Sequence, residues 1–238
     1  MNIEVYSICY NEEFLMPLFL DHYFNHLNVS KFIFYDNQST DKTVEIATNF
    51  KKCPVEIISY DSNNKLNDQI YLDIKNNAWK NSTADWVIVC DMDEFIIIND
   101  TSILNNLNPV VYKCYGYQMI SDKLPNYDSL LINQIKDGAY DNNYSKCSLF
   151  KPTINEINYL PGSHSCNPSH QIVQPPSLLL LHYKFFSLDY VINNYKLRAE
   201  RLSKLNKIKG YGIHYNFDIE EIKRIYNNIN ENKRKILP

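Results

Sequence analysis

The chain has 238 residues, a mass of 28.1 kDa and a formal net charge of −3. That length can bury one large core without disulfides, and the near-neutral balance lacks the basic footprint of a nucleic-acid binder. Only five glycines occur, none before Gly116, which argues against a P-loop NTPase, a Rossmann dehydrogenase and a Gly-rich-loop kinase, since all three need glycine where backbone meets phosphate.

The first hundred residues alternate between strand-like and helix-like patterns. Glu4–Cys9 reads as a strand, followed by the polar turn Tyr10-Asn11-Glu12-Glu13. Phe14–Asn25 reads as a helix, with Leu15, Leu18, Phe19, His22 and Tyr23 on one face. Lys31–Tyr35 is a second strand, and it runs into Asp36-Asn37-Gln38-Ser39-Thr40-Asp41. Ser39 or Thr40 is the expected cap of a helix over Thr43–Phe50. Val55–Tyr60 is the third strand, Asp68–Asn81 a helix, and Trp86–Cys90 a fourth, wholly apolar strand.

This alternation predicts an α/β fold with a mostly parallel sheet flanked by helices. Ligands of such sheets bind beyond the carboxyl ends of the strands. The polar clusters at 10–13, 36–41 and 91–94 should therefore share one rim.

After residue 100 the pattern loosens. Val110–Met119 and Lys146–Phe150 are strand-like, and five prolines between Pro152 and Pro176 punctuate a loop-rich middle. Leu178–Leu181 reads as a short buried strand. A long helix is expected from Leu188 to about Asn206, and a last one over Ile219–Asn230. The expected organisation is one domain, with an alternating half (1–100), a loop-rich half (101–187) and a C-terminal helical extension (188–238).

The six cysteines contain no CxxC pair, which argues against a zinc ribbon, and Cys9 and Cys90 read as buried free thiols of a reducing compartment. The first apolar run follows Met1 without a basic leader. The longest apolar stretches, Ile96–Ile98 and Leu178–Leu181, fall far short of the roughly 20 residues of a spanning helix. The expectation is a soluble, cytoplasmic protein without a transmembrane segment.

The sharpest chemical signal is Asp91-Met92-Asp93-Glu94-Phe95, directly after the apolar fourth strand. Two carboxylates spaced i, i+2 at a strand end can converge on one hard cation, Mn²⁺ or Mg²⁺, shared with substrate phosphates. The plainer reading is a turn capped by aspartates. Asp36, at the end of the second strand, can accept hydrogen bonds from a base or ribose, or can simply belong to a β–α turn built of good turn residues.

Taken together, Ile8-Cys9-Tyr10-Asn11-Glu12-Glu13, Tyr35–Thr43 and Asp85–Phe95 resemble, in order and spacing, the motifs of a GT-A glycosyltransferase of the family 2-like group. Gln69 and Tyr71 fit that group too. So do the later blocks Gly116–Met119, Lys146–Pro152, Pro161–His164, Leu180–Lys184 and Gly210–Tyr215. The chain departs from the pattern at Asn37-Gln38, where many members carry a second Asp and a Gly.

The resemblance implies a metal-dependent transferase that moves a sugar from a nucleoside diphosphate sugar, UDP-sugar in first place, to a hydroxyl acceptor with inversion. It implies that Tyr10, Asn11, Glu12, Asp36 and Gln69 line the nucleotide pocket, that Asp91 contacts ribose or metal, and that Asp93 is the principal ligand of Mn²⁺ or Mg²⁺. His182 would close the metal shell from the other half of the domain, although an apolar run before an aromatic equally suits a core histidine. Lys146, Lys184 and Arg198 are candidate phosphate contacts or, equally, solvated surface charges, the latter being the plainer reading of Arg198. The general base is open between His164 and Asp122. A nucleotidyltransferase, or a non-catalytic nucleotide- or sugar-binding protein of the same fold, are the alternatives; the first usually carries an N-terminal Gly-rich loop that is absent here.

Overall fold

The computed structural model describes residues 1–238. Its strands and helices run in the order β1 (Ile3–Cys9), α1 (Leu15–Leu27), β2 (Lys31–Asp36), α2 (Thr43–Asn49), β3 (Val55–Ser59), α3 (Asp68–Asn77), β4 (Trp86–Val89) and β5 (Glu94–Ile98). There follow β6 (Val111–Tyr112), β7 (Tyr115–Ile120), α4 (Leu131–Gln134), β8 (Asp137–Tyr140), β9 (Leu149–Phe150), β10 (Ile172–Val173) and β11 (Leu178–Phe185). Helices α5 (Leu188–Arg201), α6 (Lys204–Lys209) and α7 (Ile219–Asn232) and the short β12 (Arg234–Lys235) complete the chain.

Two sheets form the frame. The first has the order β10-β6-β9-β4-β1-β2-β3, with β4, β1, β2 and β3 all parallel, as the alternating pattern predicts. The second has the order β12-β8-β7-β11-β5 and is mostly antiparallel, with β7 and β11 as its parallel pair. Helix α1 fills the space between them: Phe19 and Tyr23 meet Phe95 of β5, and Phe95 meets Tyr183 of β11 edge-on at 5.2 Å. The Tyr23 hydroxyl donates to the Glu94 carbonyl at 2.9 Å, so the polar end of this aromatic stack is satisfied.

Several expectations are corrected. Glu94–Ile98, to which the sequence pattern assigns no element, is a strand of the second sheet, because all five residues are buried and pair with β11. Val110–Met119 divides into β6 and β7, one in each sheet. Leu178–Leu181 is the first half of an eight-residue strand that carries His182 and Lys184 within it. The helix expected over Leu188–Asn206 breaks at Leu202, where Leu66 N–H donates to the Arg201 carbonyl at 2.7 Å and Ser203 N–H to the Leu66 carbonyl at 3.0 Å. Ser203 then caps α6, and buried Asn206 exchanges two 3.0 Å hydrogen bonds with Asp68 at the start of α3. The C-terminal helices are thus clamped onto the loop after β3.

The expected cap of α2 also changes. Ser39 Oγ accepts from Asn11 N–H at 2.9 Å and Thr40 N–H donates to Asn11 Oδ1 at 2.7 Å, while Asp41 Oδ1 takes Thr43 N–H at 2.9 Å. Ser39 and Thr40 stitch the loop after β1 to the loop after β2, which puts clusters 10–13 and 36–41 on one rim.

Gly116 in β7 is a point of close backbone approach: a Cβ there would lie 2.2 Å from the Tyr144 carbonyl carbon and 2.5 Å from Ser145 N. Backbone cannot yield as a flexible side chain can. Gly116→Ala is expected to destabilise the protein by at least about 3 kcal/mol in urea denaturation, at the upper end of overpacking costs. A loss below about 1 kcal/mol would show that the β7 contact is slack.

Candidate active site

Two cavities of about 340 Å³ each adjoin beyond the carboxyl ends of β1 and β4, beneath α5. They share Leu66, Tyr71, Asp91, Asp93 and Arg198. The first is lined by Cys9, Tyr10, Asn11 and Glu12 after β1, by the loop 64–66 and by α5. The second is lined by Tyr144, Lys146, Pro161–His164, His182, Lys184 and the segment 210–215.

At the junction, Asp93 Oδ2 lies 3.3 Å from His182 Nε2 and 3.5 Å from an Arg198 guanidinium nitrogen. His182 is fixed from behind. Its Nδ1 is 2.6 Å from Gln118 Oε1, and Gln118 Nε2 donates to Asp141 Oδ2 at 3.1 Å. Its ring stacks on Tyr144 with centroids 4.0 Å apart. With Nδ1–H donating to Gln118, Nε2 is the nitrogen that faces the Asp93 carboxylate, and a proton or a metal cation between the two would satisfy both. Burial acts to raise the Asp93 pKa, yet His182 and Arg198 outweigh it and hold the carboxyl below the usual range.

The aspartates do not act as a pair. Asp91 is taken by two buried lysines, Lys75 at 2.6 Å and Lys146 at 3.2 Å, and Lys146 also meets Glu94 at 2.5 Å. Burial raises the Asp91 pKa, but Lys75 and Lys146 overcome it and hold the carboxyl ionised. No three His, Cys, Asp or Glu side chains stand close enough together to hold an ion. Of the three expected metal ligands, Asp93 and His182 face each other, whereas Asp91 is bonded to lysines; an oxygen–imidazole pair is of the kind that suits Mn²⁺.

Other expected residues divide similarly. Tyr10, Asn11 and Glu12 line the first cavity, and burial pushes the Glu12 carboxyl up to about 8. Asp36 does not line either cavity: it is buried and both carboxylate oxygens accept Ser39 N–H at 3.2 Å. Gln69 also lies outside, bonded to Asp73 on the surface of α3, whereas Tyr71 lines both cavities. Asp122 is excluded from the cavities as well, since it follows β7 and meets the Tyr226 hydroxyl at 3.3 Å beside α7.

His164 does line the second cavity. Its Nδ1 is 2.6 Å from the Asn143 carbonyl, which leaves Nε2 free. Gly162, at φ 76°, makes room for this ring: a Cβ there would sit 2.6 Å from His164 Cδ2. Lys184 is buried with no carboxylate partner, its ammonium 4.3 and 5.0 Å from the Tyr195 and Tyr215 ring centroids. Burial first, then repulsion from Arg198, pushes its pKa down to about 7. Lys75 was not foreseeable, because a lone lysine on a polar helix carries no sequence signal of inward orientation.

Residues 5–104 match the family described as Glycosyl transferase family 2. The matched stretch runs from β1 through β5, so it includes the loop after β1 and Asp91, Asp93 and Glu94, and it covers less than half of the chain. Among solved structures, S. aureus TarS 1-349 is 13% identical, with 84% of this chain and 65% of that one covered and a TM-score of 0.44. The mannosyltransferase PcManGT of Pyrobaculum calidifontis, solved with GDP-Man and Mn²⁺, is 11% identical, with 84% and 61% covered and a TM-score of 0.47. The 4-diphosphocytidyl-2C-methyl-D-erythritol synthase of Anaerococcus prevotii is 9% identical, with 73% and 88% covered and a TM-score of 0.40. The chain thus spans less than two thirds of the first two. No curated protein matches it in sequence. No helix of the domain is long and apolar enough to cross a membrane.

The Lys146 cluster is the electrostatic keystone of this domain. Lys146→Met leaves Glu94 and Asp91 facing each other without their shared cation, and is expected to cost about 3–5 kcal/mol in urea denaturation. Adding Glu94→Gln should recover about half of that loss. Simple additivity of the two losses would show that the residues do not act as a pair.

Proposed function

We propose that the chain is a metal-dependent glycosyltransferase that moves a sugar from a nucleoside diphosphate sugar, UDP-sugar in first place, to a hydroxyl of a glycan or similar acceptor, with inversion. The observation that carries this reading is the Asp93–His182 pair, held at the junction of two cavities in a chain that matches family 2 over residues 5–104. The first cavity takes the nucleoside, and the second takes the transferred sugar and the acceptor. A Mn²⁺ or Mg²⁺ ion between Asp93 and His182 would supply positive charge to the departing diphosphate.

The chain's own groups do the rest. Lys184, buried and without a counter-charge, gains one from a phosphate, which restores its proton and fixes the diphosphate in place. Arg198 adds a second, always charged contact. Met92 and Leu66, both buried, give the first cavity an apolar wall beside the aspartates. His164 is the general base: its Nδ1–H is committed to Asn143, so Nε2 is the atom that takes the acceptor hydroxyl proton. Burial, and then the Lys146 charge, hold its pKa below 6.5, so the basic form persists at neutral pH.

The test is nucleoside diphosphate release from a panel of nucleotide sugars with Mn²⁺. Asp93→Asn is expected to abolish turnover. His182→Ala should raise the Mn²⁺ concentration for half activity by roughly 10-fold or more, as loss of about 1.4 kcal/mol or more of ligation requires. Unchanged Mn²⁺ dependence in His182→Ala would remove the metal reading.

The pH profile tests the base. Because the His164 pKa is depressed, kcat/KM should fall only as pH drops through a value below 6.5. His164→Gln should lower kcat about 100-fold or more and abolish that acidic limb. Retention of the limb in His164→Gln would assign it to another group.

A further inference from the structure

The corner of the first cavity farthest along the chain from Asp93 is formed by Tyr10 and Arg201. The Arg201 guanidinium carbon lies 3.2 Å from the Tyr10 ring centroid, so the two planar groups are in contact. Arg201 is anchored by its backbone, whose carbonyl accepts Leu66 N–H, and by Nε–H, which donates to the Asn64 carbonyl at 3.4 Å. Nothing holds the remaining N–H groups: no carboxylate pairs with the guanidinium, and Nη2 is sealed from solvent without an acceptor. The Tyr60 hydroxyl is buried beside the Tyr71 hydroxyl, and both lie within the field of the same guanidinium.

An arginine whose fork has no acceptor, beside a cavity, is an unfilled recognition element. The acceptors that its own loop offers are spent, since the Leu66 carbonyl takes Ser203 N–H and the Lys65 carbonyl takes the Ser62 hydroxyl and Asn37. A ligand must bring the acceptor. We propose that Arg201 is the base-reading residue of this site, and that it selects a nucleoside diphosphate whose base presents keto oxygens, uracil or guanine, over one that presents an amino group at the same edge, cytosine or adenine. A guanidinium only donates, so a keto oxygen satisfies it, whereas an exocyclic amine sets donor against donor and leaves both unpaired. This inference rests on the nucleotide reading of the first cavity.

The test is calorimetry of UDP, GDP, CDP and ADP with Mn²⁺ on the wild type, Arg201→Met and Arg201→Lys, with thermal unfolding as the control of fold. The wild type should bind the better of UDP and GDP at least 10-fold more tightly than CDP and ADP. Arg201→Met should lose that preference by weakening the keto nucleotides, with CDP and ADP changed less than about 3-fold. Arg201→Lys keeps the charge and the backbone anchor but not Nε–H or the fork, and should lose most of the preference too.

A wild type that binds all four equally overturns the assignment while leaving the nucleotide reading standing. So does an Arg201→Lys protein of unchanged stability that keeps the wild-type preference. Tighter binding of all four to Arg201→Met would instead show that the side chain merely occupies the base position. No binding of any of the four to the wild type removes the nucleotide reading and this assignment with it.

Discussion

The site depends on one strand pairing. β5 and β11 run antiparallel with Glu94 opposite His182, and Tyr183 N–H donates to the Asp93 carbonyl at 2.7 Å. This register brings a carboxylate that ends one sheet to an imidazole 89 positions later in the chain. A slip of one residue would turn His182 into the core and Tyr183 out of it. The slip is opposed by burial: Tyr183 packs on Phe95 and Phe186, and its hydroxyl donates to the Ile135 carbonyl at 3.0 Å. Apolar packing thus sets the geometry of the polar site.

Charge is partitioned around that register. Lys75, Lys146, Asp91 and Glu94 form a satisfied group, so Asp91 acts as an internal anion that holds lysines in place. Asp93 faces His182 and Arg198, and Lys184 and Arg201 have no carboxylate partners. Buried cations without counter-charges are costly unless a ligand brings them. Paired and unpaired groups line the same two cavities, and the unpaired ones are those left for a ligand to satisfy. The clamp between Asp68 and Asn206 keeps α5, the source of Arg198 and Arg201, over the cavities.

Much of the first hundred residues was legible because parallel, doubly covered strands read as continuous apolar runs with polar residues at their ends. β1, β2 and β4 and the rim that joins Asn11 to Thr40 follow from that pattern. What escaped depends on long-range pairing. β5 had no assigned element because its apolar character was shadowed by the DxDE cluster, and β11 looked four residues shorter because His182 and Lys184 are polar while buried. The same polarity made the roles of Asp36 and Asp91 ambiguous: a strand-end carboxylate serves a ligand or its own loop, and only the partners decide. Ser39 bonds hold Asp36, and two lysines hold Asp91. Arg201 carried no signal in a basic helix, since its meaning lies in the Tyr10 ring that the fold sets against it.

The central claim is that Asp93 and His182 share a cation once a nucleoside diphosphate is bound. Crystals grown with UDP and Mn²⁺, measured at the manganese absorption edge, test it directly. An anomalous peak about 2.0–2.4 Å from both Asp93 Oδ2 and His182 Nε2, with the Asp91–Lys75 pair intact, is the predicted result. A peak on Asp91 instead, or an occupied nucleotide pocket with no peak and His182 still directly bonded to Asp93, would contradict it.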